Sequence, residues 1–571
     1  MVSIVIPCWN QADFTRACVE SIRRYTPERH EVVFVDNGSI DSTHQFLSGL
    51  RDPRYKVVSN FTNLGFPRAC NQGAAFSKGE YLLFLNNDVM VSPEWLKGLL
   101  ECLNSDKDIG LVGPRTNHIA GIQQENSGAY STHDEYLEFA RKYREVHRGE
   151  YRPYWRITGF CLLIKRTLFE RLGGFDERFS PGNYEDDDLC VKSFLSGYRN
   201  VVCGDVFVHH YGSVTHRQVN HGDILKRNRA KFEEKWREWM SANNTISCAM
   251  IARNEDHIIG RCLDKVLPLV DEVVLVDTGS TDFTVEIAKA RGEKVKVHRF
   301  KWCDDFAAAR NFSKSKCSGD WILSLDADEF ICGIDKNNLW PWGAYGYTQR
   351  SYTEATNWSK WTPNRGEYPE YEADTLGWIP AFMVRLFRND PRIEWSFSVH
   401  EIVDPSLFRC GYGRAALEEP IHHYGKCDAA TDLEKGRKYY EYLKEELKRN
   451  KDDLRTINEL ATQGQTLGKF GEAVGLWKRY LELFPRAFDA HYNLGHCYAC
   501  LGRYEESLEE SRKAMAIKPE SKEAAMNAAL ILFKMGRYEE SRDLSKDIME
   551  QHPDYPSAIG CFNASVKKLQ K

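Results

Sequence analysis

Two stretches of this chain deliver carboxylates in the same way. The first reads E-V-V-F-V-D-N-G-S-I-D-S-T, with Asp36 closing its apolar run, and is followed by Y-L-L-F-L-N-N-D, ending at Asp88. The second reads E-V-V-L-V-D-T-G-S-T-D-F-T, with Asp277 at the matching place, and is followed by W-I-L-S-L-D-A-D, which supplies Asp326 and Asp328. Short apolar runs rich in β-branched residues and bounded by Gly, Asn and Asp read as buried strands. In an open α/β sheet, ligands bind outside the carboxyl ends of such strands. Carboxylates held at that edge suit Mg²⁺ or Mn²⁺, which take a few carboxylates plus substrate oxygens. The repetition points to two copies of one nucleotide-binding domain.

Other side chains extend the pattern. The tetrapeptide H-H-Y-G occurs at His209–Gly212 and again at His422–Gly425, and neutral imidazole is a good ligand for Mn²⁺ and similar ions. The first copy also has F-D-E-R-F-S-P-G-N-Y-E-D-D-D-L, containing Glu185, Asp186 and Asp188. Such a cluster complements the positive end of a helix and can also furnish a general base. The second copy has no acidic cluster of this kind and offers S-V-H-E-I, with His400 and Glu401.

The elements that must position these groups fall into three segments. Residues 1–242 alternate short apolar strands with helical stretches, the rhythm of a mostly parallel sheet, and end in a polar helix reaching Trp239. Residues 243–428 open with a second strand at Thr245–Met250 and repeat the pattern. Residues 429–571 read as all-helical. There Pro485, Pro519 and Pro553 recur at a 34-residue step, as do Gly468, Gly502 and Gly536, and the small residues Ala461, Gly495 and Ala529. That period, with N-L-G-x-x-Y at Asn493–Tyr498, resembles the tetratricopeptide repeat. Such repeats stack into a concave surface that commonly holds a peptide, or pack as a dimerisation module.

At these residues the chain resembles a tandem family 2 glycosyltransferase of the GT-A fold with a tetratricopeptide tail. V-S-I-V-I-P-C-W-N, V-D-N-G-S-I-D, N-L-G-F-P-R-A-C-N-Q-G and L-F-L-N-N-D carry the resemblance in copy one. C-A-M-I-A-R-N-E, V-D-T-G-S-T-D, D-F-A-A-A-R-N and L-S-L-D-A-D carry it in copy two. The resemblance implies two Rossmann-like α/β domains and a nucleotide sugar, UDP- or dTDP-linked, as donor. It implies donor contacts from Pro7, Asn10, Asp36, Arg68, Asn86 and Asn87 in copy one, and from Arg253, Asp277, Arg310 and Asp326 in copy two. A divalent ion, Mn²⁺ or Mg²⁺, would be held by Asp88 with His210, and by Asp328 with His423. Inverting transfer would use Asp186 as base with Glu185 orienting the acceptor, Asp188 being a further candidate. In copy two the base would be Glu401, or His400 and Glu401 together. Copy one departs from the pattern at Asn86, where copy two has Asp326, and at Cys70, where Arg310 aligns. Copy two thereby has the fuller donor site and copy one the clearer acid cluster.

Composition narrows the rest. With 42% hydrophobic and 12% aromatic residues and a net charge of −5, the chain is of ordinary globular type. No apolar run approaches the roughly 20 residues of a membrane span. The N-terminus reads as a strand and not a signal peptide, which argues for the cytoplasm. Without a basic excess, nucleic acid is not an expected partner. Seventeen cysteines without paired spacing read as reduced thiols. The repeats point to a protein or peptide acceptor, flagellin or a secreted peptide by analogy. Assembly of a cell-surface polysaccharide and a non-catalytic repeat scaffold are the alternatives.

Overall fold

The structure is a computed structural model describing residues 1–119, 121–125, 130–212, 221–336, 339–354, 356, 360–373, 375–424 and 429–570. Two compact units divide the chain. The larger comprises Met1–Lys301, Ala309–Ser396 and Ile402–Tyr424, and the smaller comprises Trp302–Ala308, Phe397–Glu401 and Gly425–Lys571.

The larger unit contains two sheets of matching topology. The first is built from β1 (Val2–Cys8), β2 (His30–Asn37), β3 (Tyr55–Asn60), β4 (Tyr81–Leu85), β5 (Val89–Met90), β6 (Ile109–Thr116), β7 (Tyr151–Pro153), β8 (Cys161–Lys165) and β9 (Arg199–His210). Its order is β3-β2-β1-β4-β8-β6-β9-β5, with β7 beside β9. The second is built from β10 (Ile246–Ala252), β11 (Glu272–Asp277), β12 (Val295–Arg299), β13 (Trp321–Asp326), β14 (Glu329–Ile331), β15 (Gly343–Thr353), β16 (Thr362–Pro363), β17 (Gly377–Arg388), β18 (Gly413–Ala416) and β19 (Ile421–His423). Its order is β12-β11-β10-β13-β17-β15-β19-β14. In each sheet the first strand lies between the second and fourth, parallel to both. The chain therefore winds away from it in both directions, leaving a crevice at the carboxyl ends.

The sheets are less parallel than the strand–helix rhythm predicts. β8 runs antiparallel to β4, and β17 to β13. The run C-L-L-I-K signals a buried strand by its apolar content, but strand direction is set by the path of the connection, which local sequence does not encode.

At the opposite, amino edge, each sheet is tied by the same polar network, with its serine and glutamate buried and its lysine partly exposed. Ser3 Oγ donates to Glu31 at 2.7 Å, Lys56 Nζ reaches the same carboxylate at 2.6 Å, and Gly79 N donates to Ser3 Oγ at 2.7 Å. Ser247, Glu272, Lys296 and Gly319 repeat it at 2.6, 2.5 and 2.7 Å. A Cβ on Gly79 would meet Ser3 N at 2.6 Å and Met1 O at 2.9 Å, and one on Gly319 would meet Ser247 N at 2.7 Å. Those neighbours are backbone and cannot yield cheaply. Gly79→Ala and Gly319→Ala are each expected to cost about 1–3 kcal/mol, read from the denaturant midpoint. An unchanged midpoint would refute the close approach.

The smaller unit continues from the helix Ala429–Arg449 through seven further helices, Leu454–Thr466 to Pro556–Leu569. Gly468, Gly502 and Gly536 take φ of 72°, 74° and 77° at helix ends, the left-handed conformation that glycine adopts without strain. Ala461 and Ala529 are fully buried. A Cβ on Gly495 would press on Ser511 Oγ at 3.2 Å and Ser507 O at 3.3 Å, so the small-residue step marks where paired helices touch. Among the described residues, no helix is long and apolar enough to cross a membrane, and the cysteines are free thiols.

Candidate functional site

The crevice loops of the two copies are pinned alike. Asn10 sits in the left-handed region at φ 59°, a conformation asparagine tolerates, and its backbone N–H donates to Ser39 Oγ at 2.9 Å. Ile40 N donates to Asn10 Oδ1 at 2.8 Å, and Ser39 N to Asp36 Oδ1 at 3.0 Å. Asn254, also at φ 59°, Ser280, Thr281 and Asp277 reproduce all three bonds at 3.0, 2.8 and 2.8 Å. Asp36 is buried, and its second oxygen meets His44 Nδ1 at 2.7 Å. Pro7 lies on β1 opposite Val35. Arg253 is exposed beside Asn254. Arg68 is exposed too and reaches Glu177 at 3.8 Å.

The strand-end carboxylates meet the repeated histidines. Val89 of β5 pairs with His210 of β9, and Glu329 of β14 pairs with His423 of β19. His210 Nε2 lies 3.3 Å from Asp88 Oδ1, and His423 Nε2 lies 3.4 Å from Asp328 Oδ2. The preceding histidine points the other way, as successive strand residues must. His209 bonds Tyr130 Oη at 2.7 Å, and His422 bonds Tyr352 Oη at 2.7 Å while stacking on Tyr371. Burial, with His210 close by, lowers His209 to about 4, and burial beside Arg350 lowers His422 to about 4. Burial opposes protonation of His210 and His423 as well, but Asp88 and Asp328 outweigh it and hold both above the ordinary range.

A cation with bonds of about 2.1 Å places neighbouring octahedral ligands about 3 Å apart, so each Asp–His pair fits two adjacent positions. Among the described residues, no group of three or more His, Cys, Asp or Glu is placed to enclose a metal. Two protein ligands with the remainder from substrate oxygens is the coordination style of Mg²⁺ beside a diphosphate.

In copy one the acid cluster opens the helix Glu185–Leu195, with its four acidic residues all buried. Asp186 Oδ2 accepts from Gly159 N at 2.8 Å. The next residue, Phe160, stacks on His210 at 5.1 Å and accepts from Asn86 N at 2.8 Å through its carbonyl. The dipeptide Gly159–Phe160 thus joins the acidic helix start to the Asp88–His210 pair. Burial pushes Glu185 well above the usual carboxylate range, with Asp186 adding to it, and its Oε2 has no hydrogen-bond partner. Asp187 is paired with Arg156 at 2.5 Å, and Asp188 with Lys192 and Lys235 at 2.9 and 2.5 Å. Those pairings leave Asp186 and Glu185 as the available acids. Asn87 is buried and donates to Thr15 Oγ1 at 2.9 Å.

Copy two is arranged differently. Arg310 Nη2 lies 2.7 Å from Asp326 Oδ1, and Arg385 Nη2 lies 3.4 Å from Asp326 Oδ2 and 2.5 Å from Glu329 Oε1. Gln349 also donates to Glu329, at 2.9 Å. Burial would raise Asp326, yet the two guanidinium groups hold it well below the usual carboxylate range. Asp326 and Arg310 are thus engaged with each other. Arg385 lies in V-R-L-F-R-N-D, which precedes S-V-H-E-I and with it resembles a second branch of the family, and Glu329 directly follows D-A-D, while Gln349 carries no motif that marks it in the sequence. Arg385→Met would leave the fully buried Glu329 short of its counter-charge, at an expected cost of about 3–5 kcal/mol. A melting temperature within a degree of the parent would refute this. His400 and Glu401 belong to the smaller unit, where His400 lies edge-on to Tyr439 at 5.6 Å and its carbonyl accepts from Arg455.

Two mixed α/β sheets with a switch point beside the first strand and an acid-lined carboxyl edge define a GT-A-like fold, here followed by an all-α repeat region. The profile described as Glycosyl transferase family 2 matches residues 3–173 and 247–331, and two described as Tetratricopeptide repeat match 465–520 and 501–559. The chain therefore carries the glycosyl transferase family 2 domain in both halves of its α/β part, ahead of tetratricopeptide repeats.

A TPR repeat-containing protein of Synechococcus elongatus is 37% identical over 32% of this chain and 42% of its own length. The SPbeta prophage-derived glycosyltransferase SunS of Bacillus subtilis is 35% identical over 17% of this chain and 22% of its own. The O-antigen biosynthesis protein RfbC of Myxococcus xanthus is 29% identical over 38% and 18%. The chain spans less than half the length of each of these relatives. Among solved structures, the mannosyltransferase PcManGT of Pyrobaculum calidifontis, in complex with GDP-Man and Mn²⁺, overlaps 40% of this chain and 63% of its own at 20% identity and a TM-score of 0.30.

Proposed function

We propose that the protein transfers a sugar from a nucleotide-sugar donor to a hydroxyl of a protein or peptide acceptor, with inversion, at the carboxyl edge of copy one. The observation that carries this reading is the Gly159–Phe160 bridge, bonded to Asp186 at one residue and stacked on His210 at the next. Asp88 and His210 would hold a divalent cation, which when bound neutralises the charge building on the departing diphosphate. Asp186 takes the acceptor proton, its carboxylate kept in orientation by the Gly159 N–H. Glu185, whose Oε2 is buried without a partner, receives a hydrogen bond from the acceptor and turns its hydroxyl toward Asp186. As Asp186 takes the proton, the acceptor oxygen attacks the anomeric carbon from the side opposite the nucleotide, the nucleoside diphosphate leaves, and the linkage is inverted.

Copy two keeps the Asp328–His423 pair while Asp326 is engaged by arginines. It is proposed as a second, non-equivalent donor site that acts on the product of the first. The likeness to an O-antigen biosynthesis protein supports polysaccharide assembly as the second reading. The test incubates the protein with UDP-, GDP- and dTDP-sugars and Mn²⁺ and measures nucleotide release. One donor should be turned over, and EDTA should stop it. If no donor is hydrolysed or transferred with either Mn²⁺ or Mg²⁺, the reading fails.

A further inference from the structure

Within the larger unit, a cavity of about 810 Å³ opens where copy one meets copy two. It shares no residue with either Asp–His pair, and its volume falls within the range of small-molecule sites. One wall is a row of parallel indoles. Trp155 stacks on Trp342 at 4.6 Å and 12°, and Trp342 stacks on Trp340 at 5.3 Å and 19°. Backbone bonds fix the row in place. Gly413 N donates to Trp342 O at 2.8 Å, Gly343 N donates to Trp340 O at 2.8 Å, and Trp340 N donates to Tyr345 Oη. Trp340 ends the row and is partly exposed.

Two further features select the occupant. Tyr347 lines the cavity, is 1% exposed, and its hydroxyl has no hydrogen-bond partner, a costly state that a ligand hydroxyl would relieve. The rim carries Asp335, Glu418 and Glu419, while the one lining arginine, Arg414, is paired with Asp404 at 2.6 Å. An acidic rim without a spare cation repels phosphate, so the cavity is not a third nucleotide site. A quaternary or guanidinium cation is best bound where several ring faces converge, whereas these rings lie parallel and cover one another. A pyranose matches what remains, with an apolar face for an indole and hydroxyls for Tyr347 and the carboxylates.

We propose that this seam cavity binds a neutral saccharide, stacked on Trp340 and hydrogen-bonded by Tyr347, outside both donor sites. The idea rests on the glycosyltransferase reading for its biological sense, but the chemistry of the cavity stands apart from it. The location suits an acceptor or product glycan. Trp155 precedes Arg156, which pairs with Asp187 on the acid-cluster helix, and the cap residue Tyr184 packs in the same aromatic cluster as Trp155, Trp340 and Trp342.

Saturation-transfer NMR and calorimetry on the full chain would test this with maltotriose, cellotriose, mannotriose and chitotriose, and with choline and tri-arginine as cationic probes. At least one trisaccharide should bind. Trp340→Ala should weaken it about tenfold, the loss of a stacked ring. Tyr347→Phe, which removes a single hydroxyl and is the gentler change, should weaken it about three- to tenfold. Asp88→Ala should leave it intact. No saccharide binding in a protein that still hydrolyses donor overturns the proposal and spares the transferase reading. Binding lost in Asp88→Ala, binding of the cations alone, or binding unchanged in Tyr347→Phe also overturns it.

Discussion

Asp88→Ala is expected to lower donor turnover at the first copy by about 10²–10³-fold, the scale of losing one electrostatic contact to developing charge. The size follows from the sparse ligand set. Asp88 and His210 are two side chains of metal-ligand type brought together there, with no third placed to join them among the described residues, so removing one would halve the protein's share of the proposed coordination. His210→Ala should fall in the same range, and the double variant should be little worse than either alone, because both act through one ion. Nucleotide release under saturating Mn²⁺ is the measurement, with the melting temperature as a control for folding. A loss below about tenfold would show that the first copy does not rely on this pair. Asp328→Ala is expected to leave the first transfer unchanged and to remove only the second sugar.

Asp186→Asn should lower kcat by about 10²–10⁴-fold, the range for a general base, while leaving donor affinity within about twofold. Asparagine keeps an oxygen for the Gly159 N–H, while the bond from Asp187 N to the second oxygen at 2.9 Å is lost together with the basic electron pair. The split matters because a merely structural Asp186 would disturb donor binding and stability together. If kcat survives and the melting temperature drops, Asp186 is a helix-start acid and the base lies elsewhere. Asp187→Asn is the contrast, since its carboxylate is already paired with Arg156. It should cost stability more than turnover.

Much of this was legible in the sequence because the responsible interactions are short-range. The strand-end aspartates and the 34-residue helical step each depend on residues close in the chain, whereas the asparagines at positive φ are pinned by residues 26–30 positions away. Between the neighbouring histidines, alignment on the glycine of H-H-Y-G points to His210 and His423, and strand alternation turns those two toward Asp88 and Asp328 and their predecessors away. What stayed hidden depends on pairing between distant strands. Arg310 aligns with a phosphate-facing position, yet it is drawn into Asp326 because Arg385, on a strand of unforeseen direction, completes a buried charge network. Arg68 likewise has a suitable place in its motif but is exposed and turned to Glu177. The resemblance already singles out Asp186, but the ion pairs of Asp187 with Arg156 and of Asp188 with Lys192 and Lys235 are not encoded in the acidic run.

The Ser–Glu–Lys–Gly network at the amino edge has a consequence for how this protein can change. It is the same in both sheets, bond for bond, while the carboxyl edges have diverged into N-N-D, with uncharged Asn86 in the first place, and D-A-D, with Asp326 held there by two arginines. Each sheet therefore anchors its stability at one end and keeps its chemistry at the other, a full strand length away. Substitutions at the reactive end draw little on the anchors, so one copy can lose, alter or regain a specificity without unravelling the scaffold it shares with the other. A duplicated sheet built this way is a substrate for innovation, and the two copies here have already used that freedom in different directions.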